Sequence, residues 1–215
     1  MGKNSHRRER KAQDISRKKG KRPPYPRVLL VCEGSKTEPL YFEDIRKQNR
    51  VPSAHIKILH AGVTEPLQIV DEAENIFNAS REYEWVFAVF DRDEHRTYHN
   101  ALALAEALDS KLKNDEHQAV RFVAVPSVPC FELWLLLHYA DIQAMLHRDE
   151  AVQRLRGHIN GYRKGFDGVY GVTEALLPTA IPRAVRLQER FDAHSGTAPY
   201  TRANEVVQLL REIRA

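Results

Sequence analysis

The residues of this 215-residue chain that are best suited to chemistry are acidic side chains that directly follow apolar runs. Asp91, Asp93 and Glu94 come immediately after the apolar segment 85–90, WVFAVF. Three carboxylates within four residues repel one another unless something offsets their charge. A hard divalent cation takes carboxylate oxygens as ligands, so this spacing indicates a cation site at the end of the run.

A second acidic residue occupies the same kind of position. Glu33 follows the apolar segment 27–32, and Gly34 comes next, where the backbone can turn tightly or approach a ligand. In an open parallel sheet, ligands bind beyond the carboxyl ends of the strands. If the two segments are neighbouring strands, Glu33, Asp91 and Asp93 converge there. In the alternative interpretation, Asp91 caps the next helix and the other carboxylates are solvated.

Short apolar runs alternate along the chain with longer segments of helical periodicity, which predicts strands and helices in alternation. The predicted strands are 27–32, 55–59, 85–90 and 119–125, and the predicted helices between them are 38–49, 65–81 and 97–112. This order favours an α/β fold with a parallel-sheet, Rossmannoid core and helices on both faces of the sheet. The nearly continuous apolar character of three of the strands is typical of a sheet that is covered on both faces.

The last third of the chain is predicted to be helical. The expected elements are a buried helix over 130–139, helices over 142–158, 172–193 and 199–214, and a glycine-rich loop over 157–171. Glu132 is anomalous in the otherwise apolar buried helix, because a carboxylate in such surroundings needs a partner. Three interpretations of Glu132 stay open: a ligand at the cation site, the partner of an arginine, or a favourable charge in the first helical turn.

The charge of the chain is distributed unevenly. Residues 1–27 contain 11 Lys/Arg and 2 Asp/Glu, whereas the rest contains 22 and 27, for an overall charge of +4. Segment 1–24 has almost no apolar content and is expected to be disordered, either as an arm that binds phosphates or as a solvated tail that docks a partner. The predicted organisation is a basic tail over 1–24, an α/β core over 25–140, and a helical C-terminal part over 141–215 that packs on the core.

Several classes of function are excluded or disfavoured by the sequence. No apolar run approaches the roughly 18 residues of a membrane span, and no apolar stretch follows the N-terminal charges as in a secretory signal. Cys32 and Cys130 lie in apolar surroundings and are interpreted as buried thiols of a cytoplasmic protein. The chain has no GxxxxGK[ST] motif, so no NTPase of its own is predicted.

Four segments carry a family resemblance: VCEGSKTEPLYF at 31–42, VFDRDEH at 89–95, PCFELWLLLHY at 129–139 and GYRKG at 161–165. A Glu-Gly after the first strand and an Asp-x-Asp after a later strand resemble the TOPRIM catalytic domain of topoisomerases, primases and overcoming-lysogenization-defect nucleases. Together the four segments resemble the RloB-like family, TOPRIM-related proteins of bacteria and archaea. Such proteins are commonly encoded beside an ABC-type ATPase in phage-defence or restriction loci.

The resemblance implies a TOPRIM-like endonuclease that requires Mg²⁺ or Mn²⁺, cleaves DNA or RNA, and acts as a defence effector with a separately encoded ABC/AAA-type ATPase. Glu33 matches the TOPRIM glutamate, and Asp91 and Asp93 match the Asp-x-Asp pair. Glu38 and Glu132 lie in the family motifs. One departure is that the glycine often found after Asp-x-Asp is replaced by the residues of 94–96, Glu-His-Arg.

The candidate site residues are acidic and basic side chains of these four segments. The candidate catalytic residues are Glu33, Asp91, Asp93, Glu132 and Lys36, the first three also being candidate metal ligands, and the candidate nucleic-acid contacts are Lys36, Arg163 and Lys164. Two rival hypotheses remain. One is an inactive TOPRIM-like adaptor that binds its ATPase or nucleic acid. The other is a phosphatase of the haloacid dehalogenase type, which is disfavoured because that class places its Asp-x-Asp after the first strand.

Overall fold

A computed structural model of the protein describes residues 25–213. A five-stranded sheet forms the centre of the molecule. The strands are β1 (Val28–Cys32), β2 (Ile56–His60), β3 (Trp85–Asp91), β4 (Arg121–Val128) and β5 (Tyr200–Thr201). Their order across the sheet is β2-β1-β3-β4-β5. The first four strands are parallel, and β5 is antiparallel to β4. The carboxyl ends of β1 and β3 therefore lie side by side.

Helices connect the strands and make up most of the C-terminal part. They are α1 (Thr37–Gln48), α2 (Pro66–Ser80), α3 (Tyr98–Leu108), α4 (Glu132–Leu136), α5 (Arg148–His158), α6 (Val169–Thr173), α7 (Leu177–Arg190) and α8 (Ala203–Glu212). Short 3₁₀ helices cover Glu174–Leu176 and Ala193–Ser195. No helix within residues 25–213 is both long enough and apolar enough to cross a membrane.

Both faces of the sheet are buried, as the apolar strands predict. Side chains of β1 alternate between two apolar clusters: Leu30 belongs to one, and Leu29 and Val31 belong to the other. Helices α2 and α3 cover the second face, whereas α1 and the helices that follow β4 cover the first. The predicted α/β class with a parallel-sheet, Rossmannoid core is confirmed.

Strand β4 is longer than predicted because it continues through a proline. Pro126 lies opposite Phe90 in the parallel register with β3. Its carbonyl oxygen accepts a hydrogen bond from Arg202 N at 3.3 Å, on the side of β5. The missing N–H of Pro126 faces the same side, and β5 pairs only with Ser127 and Val128, so no ladder hydrogen bond is lost.

The predicted helices after β4 were too long. The helix predicted over 130–139 is only the five-residue α4, and the helix predicted over 142–158 begins at Arg148. Ile142 and Leu146 are buried four residues apart, which imitates a helical period, but they lie in an irregular segment packed on the first face. Tertiary packing, and not a helix, thus accounts for their burial.

The C-terminal elements also differ from the sequence prediction. The helix predicted over 172–193 is divided into the end of α6, a 3₁₀ turn and α7, and α7 contains Pro182 without ending there. The helix predicted over 199–214 was wrong at its start, because Tyr200 and Thr201 form β5 and α8 begins only at Ala203. The predicted tail over 1–24 lies outside the described residues.

Candidate functional site

The acidic residues of the site lie where β1 and β3 end. Glu33 directly follows β1, and its backbone N–H donates to Val89 O at 2.9 Å, which continues the ladder between the strands. Its side-chain Oε2 accepts from the backbone N–H of Asp91, the last residue of β3, at 2.8 Å. The neighbouring strands therefore bring Glu33 and Asp91 together, in the arrangement that the sequence predicted.

Asp93 lies on the turn that follows β3, in a backbone conformation that is unusual for a side chain other than glycine. Its φ angle is +34°, and its N–H donates to Pro129 O at 3.3 Å. Arg92 holds this turn, because its guanidinium donates to the carbonyl oxygens of Asp93 at 3.1 Å and His95 at 3.0 Å. The guanidinium also lies over the Tyr98 ring, 5.0 Å from its centroid. These contacts orient Asp93 and His95 toward Glu33.

Glu33, Asp93 and His95 form a group that fits a metal ion. One potential ligand atom from each lies within 4.8 Å of the others. Two carboxylates and an imidazole are a common donor set for divalent metals, so the residues present fit a bound cation. His95 was missed as a ligand by sequence reasoning, which noted it only as a replacement for glycine. Its position two residues after Asp93 on the same turn was the available signal.

Asp91 belongs to a deeper acidic group with Glu38 and Glu132. All three carboxyl groups are buried, with 6, 6 and 2% of the residue exposed. Asp91 Oδ1 accepts from the backbone N–H of Phe131 at 2.9 Å, and Glu132 Oε1 accepts from the Tyr162 hydroxyl at 3.2 Å. Tyr162 is therefore the partner that the buried Glu132 required, and it comes from the glycine-rich segment far along the chain.

Burial and mutual repulsion disfavour ionisation of these carboxyl groups. Burial, and then the charges of Glu132 and Glu33, raise the pKa of Glu38 to about 7. Burial, followed by the charge of Glu38, raises the pKa of Asp91 well above its usual range, and burial also raises the pKa of Glu33. A cation at the strand ends would offset this repulsion and favour the ionised forms.

The Glu38 carboxylate packs against Gly34, which leaves room for it because glycine has no side chain. A Cβ atom at Gly34 would overlap the Glu38 carboxylate. Gly34→Ala is therefore expected to lower the free energy of unfolding by about 1–3 kcal/mol, as overpacking of a buried site does. The measurement is denaturant unfolding of both proteins.

The matched control for this change is Gly157→Ala. Gly157 lies in α5, and apart from its chain neighbours and the adjacent helix backbone, no described atom lies within 4 Å of a Cβ added there. Because alanine favours helix over glycine, this variant is expected to match or exceed the wild-type stability by up to about 1 kcal/mol. Equal stability of Gly34→Ala and wild type would show that Glu38 does not pack on Gly34 as described.

Arg148 supplies an internal positive charge to the site. This first residue of α5 forms an ion pair through Nη1 with Asp93 Oδ2, and its Nη2 lies 3.9 Å from Asp91 Oδ2. Sequence reasoning missed Arg148, because the predicted helix started six residues earlier and placed this arginine in the middle of the helix rather than at its start. The arginine shows that the carboxylates have one source of neutralising charge within the chain itself.

The predicted basic residues are placed unequally. Lys36 and Lys164 line the same cleft of about 400 Å³ as Glu33, Glu38, Asp91 and Glu132. The segment with Lys164 docks on the start of α1, where Gly165 N donates to Thr37 Oγ1 at 3.2 Å. A side chain at position 165 would collide with the side chain of Lys36. Arg163 is exposed and is not part of the cleft lining.

Fold and site together define a Rossmannoid α/β protein with a candidate divalent-cation cleft at the carboxyl edge of its parallel sheet. The chain belongs to the RloB-like protein family, whose model matches residues 28–210. Comparisons with curated proteins and with solved structures find no match. The family match includes every residue of the site, from Glu33 after β1 to Lys164 in the glycine-rich segment.

Proposed function

We propose that this protein is a metal-dependent nuclease that hydrolyses phosphodiester bonds in DNA or RNA. The observation that carries the proposal is the convergence of Glu33, Asp93 and His95 within 4.8 Å, beside the buried Asp91. The donor set fits Mg²⁺ or Mn²⁺, and Lys36 and Lys164 line the adjoining cleft, to which Glu33 and Asp91 also belong. Carboxylates alone would repel a phosphodiester, so the lysines and a cation together make the cleft suitable for one.

A bound divalent cation would supply positive charge to the phosphoryl oxygens and the leaving oxygen of the substrate. The residues of the chain divide the remaining work. Asp93 and Glu33 would hold the cation, and Asp91 would complete the acidic edge. Alternatively, Glu33 would be the general base that accepts a proton from the attacking water. Glu132 lines the cleft beside these residues, where its carboxylate accepts a hydrogen bond from the Tyr162 hydroxyl.

The test is a cleavage assay on the full-length protein with end-labelled single- and double-stranded DNA and RNA, including folded tRNA. Cleavage is expected with Mn²⁺ or Mg²⁺ and not with excess EDTA. The same assay is run with the separately encoded ABC/AAA-type ATPase, whose partnership and defence role we propose from the family resemblance and not from the site. Absence of cleavage of every substrate, with and without the ATPase, would contradict the nuclease proposal.

The two lysines are expected to contact the substrate backbone. Lys164→Ala should weaken binding of a short oligonucleotide and reduce the slope of log K against log [salt] by about 1, because one phosphate contact is lost. Arg163→Ala is the matched control, since it removes a neighbouring positive charge that does not line the cleft. Fluorescence anisotropy over a salt series measures both. Equal losses in the two variants would show that the cleft does not direct binding.

The second candidate function is a catalytically inactive adaptor that binds the ATPase or nucleic acid. The ion pair between Arg148 and Asp93 favours the adaptor, because it partly neutralises the carboxylates at the strand ends without a metal. An Asp91→Ala variant separates the two functions. Loss of cleavage with retained binding of the ATPase would count against the adaptor, whereas a wild type that binds its partner and never cleaves would favour it.

A further inference from the structure

The imidazole of His95 is oriented by a carboxylate that lies outside the candidate cation group. His95 Nδ1 lies 3.3 Å from Glu65 Oε1, and the other oxygen of Glu65 accepts from the Thr97 hydroxyl at 2.7 Å. A glutamate carboxylate accepts hydrogen bonds, so Glu65 can accept from the Thr97 hydroxyl through one oxygen and from His95 Nδ1–H through the other. In this geometry, the Nδ1–H tautomer of His95 donates to Glu65.

This hydrogen bond determines which nitrogen of His95 is available. When Nδ1 carries the proton of a neutral imidazole, Nε2 holds a lone pair. Nε2 points to the candidate cation group, where Glu33 Oε1 lies 3.9 Å away. A lone pair that faces a carboxylate is unfavourable unless a cation lies between them or the ring itself is protonated. A carboxylate, a histidine and a metal in series are the usual arrangement that fixes the ring of a metal-binding histidine.

We propose that His95 Nε2 is a metal ligand, with Glu65 as its positioning residue, and that it makes the site selective for first-row transition ions such as Mn²⁺ over Mg²⁺. The inference rests on the cation site of the proposed function and adds its metal preference. Mg²⁺ prefers oxygen ligands and retains its water, whereas first-row transition ions accept imidazole nitrogen. A cluster of carboxylates alone would not discriminate in this way.

The first test is calorimetric titration of the full-length protein with Mn²⁺ and with Mg²⁺. Wild type is expected to bind Mn²⁺ at least tenfold more tightly than Mg²⁺. His95→Asn should weaken Mn²⁺ binding by about tenfold or more and change Mg²⁺ binding by less than about threefold, so that the selectivity is lost. His60→Asn is the matched control, because His60 lines the adjoining cleft outside the ligand group and its loss should leave both affinities unchanged.

The second test addresses Glu65 and observes the ligand directly. Glu65→Leu should weaken Mn²⁺ binding about tenfold, whereas Glu65→Gln, which keeps an oxygen acceptor for Nδ1–H, should remain within about threefold of wild type. Electron spin-echo envelope modulation of the Mn²⁺ complex should show coupling to a ¹⁴N nucleus in wild type and lose it in His95→Asn. Circular dichroism confirms that each variant is folded.

The outcomes separate this inference from the proposed function. Mn²⁺ binding that depends on Asp93 but shows no ¹⁴N coupling would overturn the role of His95 and leave the cation site intact. Equal affinities of wild type for Mn²⁺ and Mg²⁺ would overturn the selectivity. If neither ion bound, alone or with an oligonucleotide, the result would contradict both the cation site and the inference that rests on it.

Discussion

Asp93→Asn is expected to abolish saturable binding of a divalent cation and to slow nucleic-acid cleavage by about a thousandfold, which corresponds to several kcal/mol of lost charge stabilisation. Asp93 is central because it belongs to the candidate ligand group and lies on the turn that Arg92 holds. An asparagine retains the size of the side chain but removes its negative charge. The loss should therefore appear in binding and rate, with little change in fold.

Calorimetry with Mn²⁺ and single-turnover cleavage measure the two effects of Asp93→Asn. The matched control is Glu94→Gln, which removes one negative charge from the adjacent, exposed residue of the same turn. This control should bind the cation and cleave at close to the wild-type rate, since Glu94 is not in the ligand group. An Asp93→Asn variant that binds Mn²⁺ as tightly as wild type would place the cation elsewhere.

Glu38→Gln is expected to stabilise the metal-free protein at pH 8 by on the order of 3 kcal/mol, or about 5–10 °C in Tm for a chain of this size. The pKa of Glu38 is about 7 in the folded protein, against an ordinary value of 4.5. For a carboxyl group with a raised pKa, its contribution to stability is fully present below pH 4.5 and is lost as the pH rises through 7. Glutamine fills the same space without this penalty.

The difference between Glu38→Gln and wild type should therefore grow from near zero at pH 4.5 to its full value at pH 8. Taking the difference is necessary because burial lowers the pKa of His138 to about 4, which destabilises the fold as the pH falls. That effect is present in both proteins and cancels. Thermal melts at half-unit pH intervals in EDTA measure it, with the exposed Glu189→Gln as control. A difference that does not vary with pH would show that Glu38 ionises normally.

A bound cation should act in the opposite direction at high pH. Because it favours the ionised carboxylates, Mn²⁺ is expected to stabilise wild type more strongly at pH 8 than at pH 5, in addition to the mass-action stabilisation of any ligand. The two expected results are thus linked. The same buried charges that weaken the metal-free fold would favour binding of the cation to it.

Local sequence determined the framework of the site. The apolar runs before Glu33 and Asp91 predicted β1 and β3, since continuous apolar segments of strand length are typical of a sheet that is covered on both faces. The alternation of strands and helices predicted their parallel arrangement. Glu33 and Asp91 therefore meet for reasons that can be read along the chain, because each directly follows or ends its strand.

Only the tertiary structure decided the remaining contacts of the site. Arg148 reaches Asp93 because an irregular segment packs on the core where the sequence period predicted helix, and Tyr162 reaches Glu132 across 30 residues. His95 is paired with Glu65 from the start of α2, again 30 residues away. Hydrophobic periodicity reports which side chains are buried but not which distant polar groups meet. Contacts between distant polar groups depend on how the helices and strands pack, and these contacts determine the charge and the candidate ligands of the site.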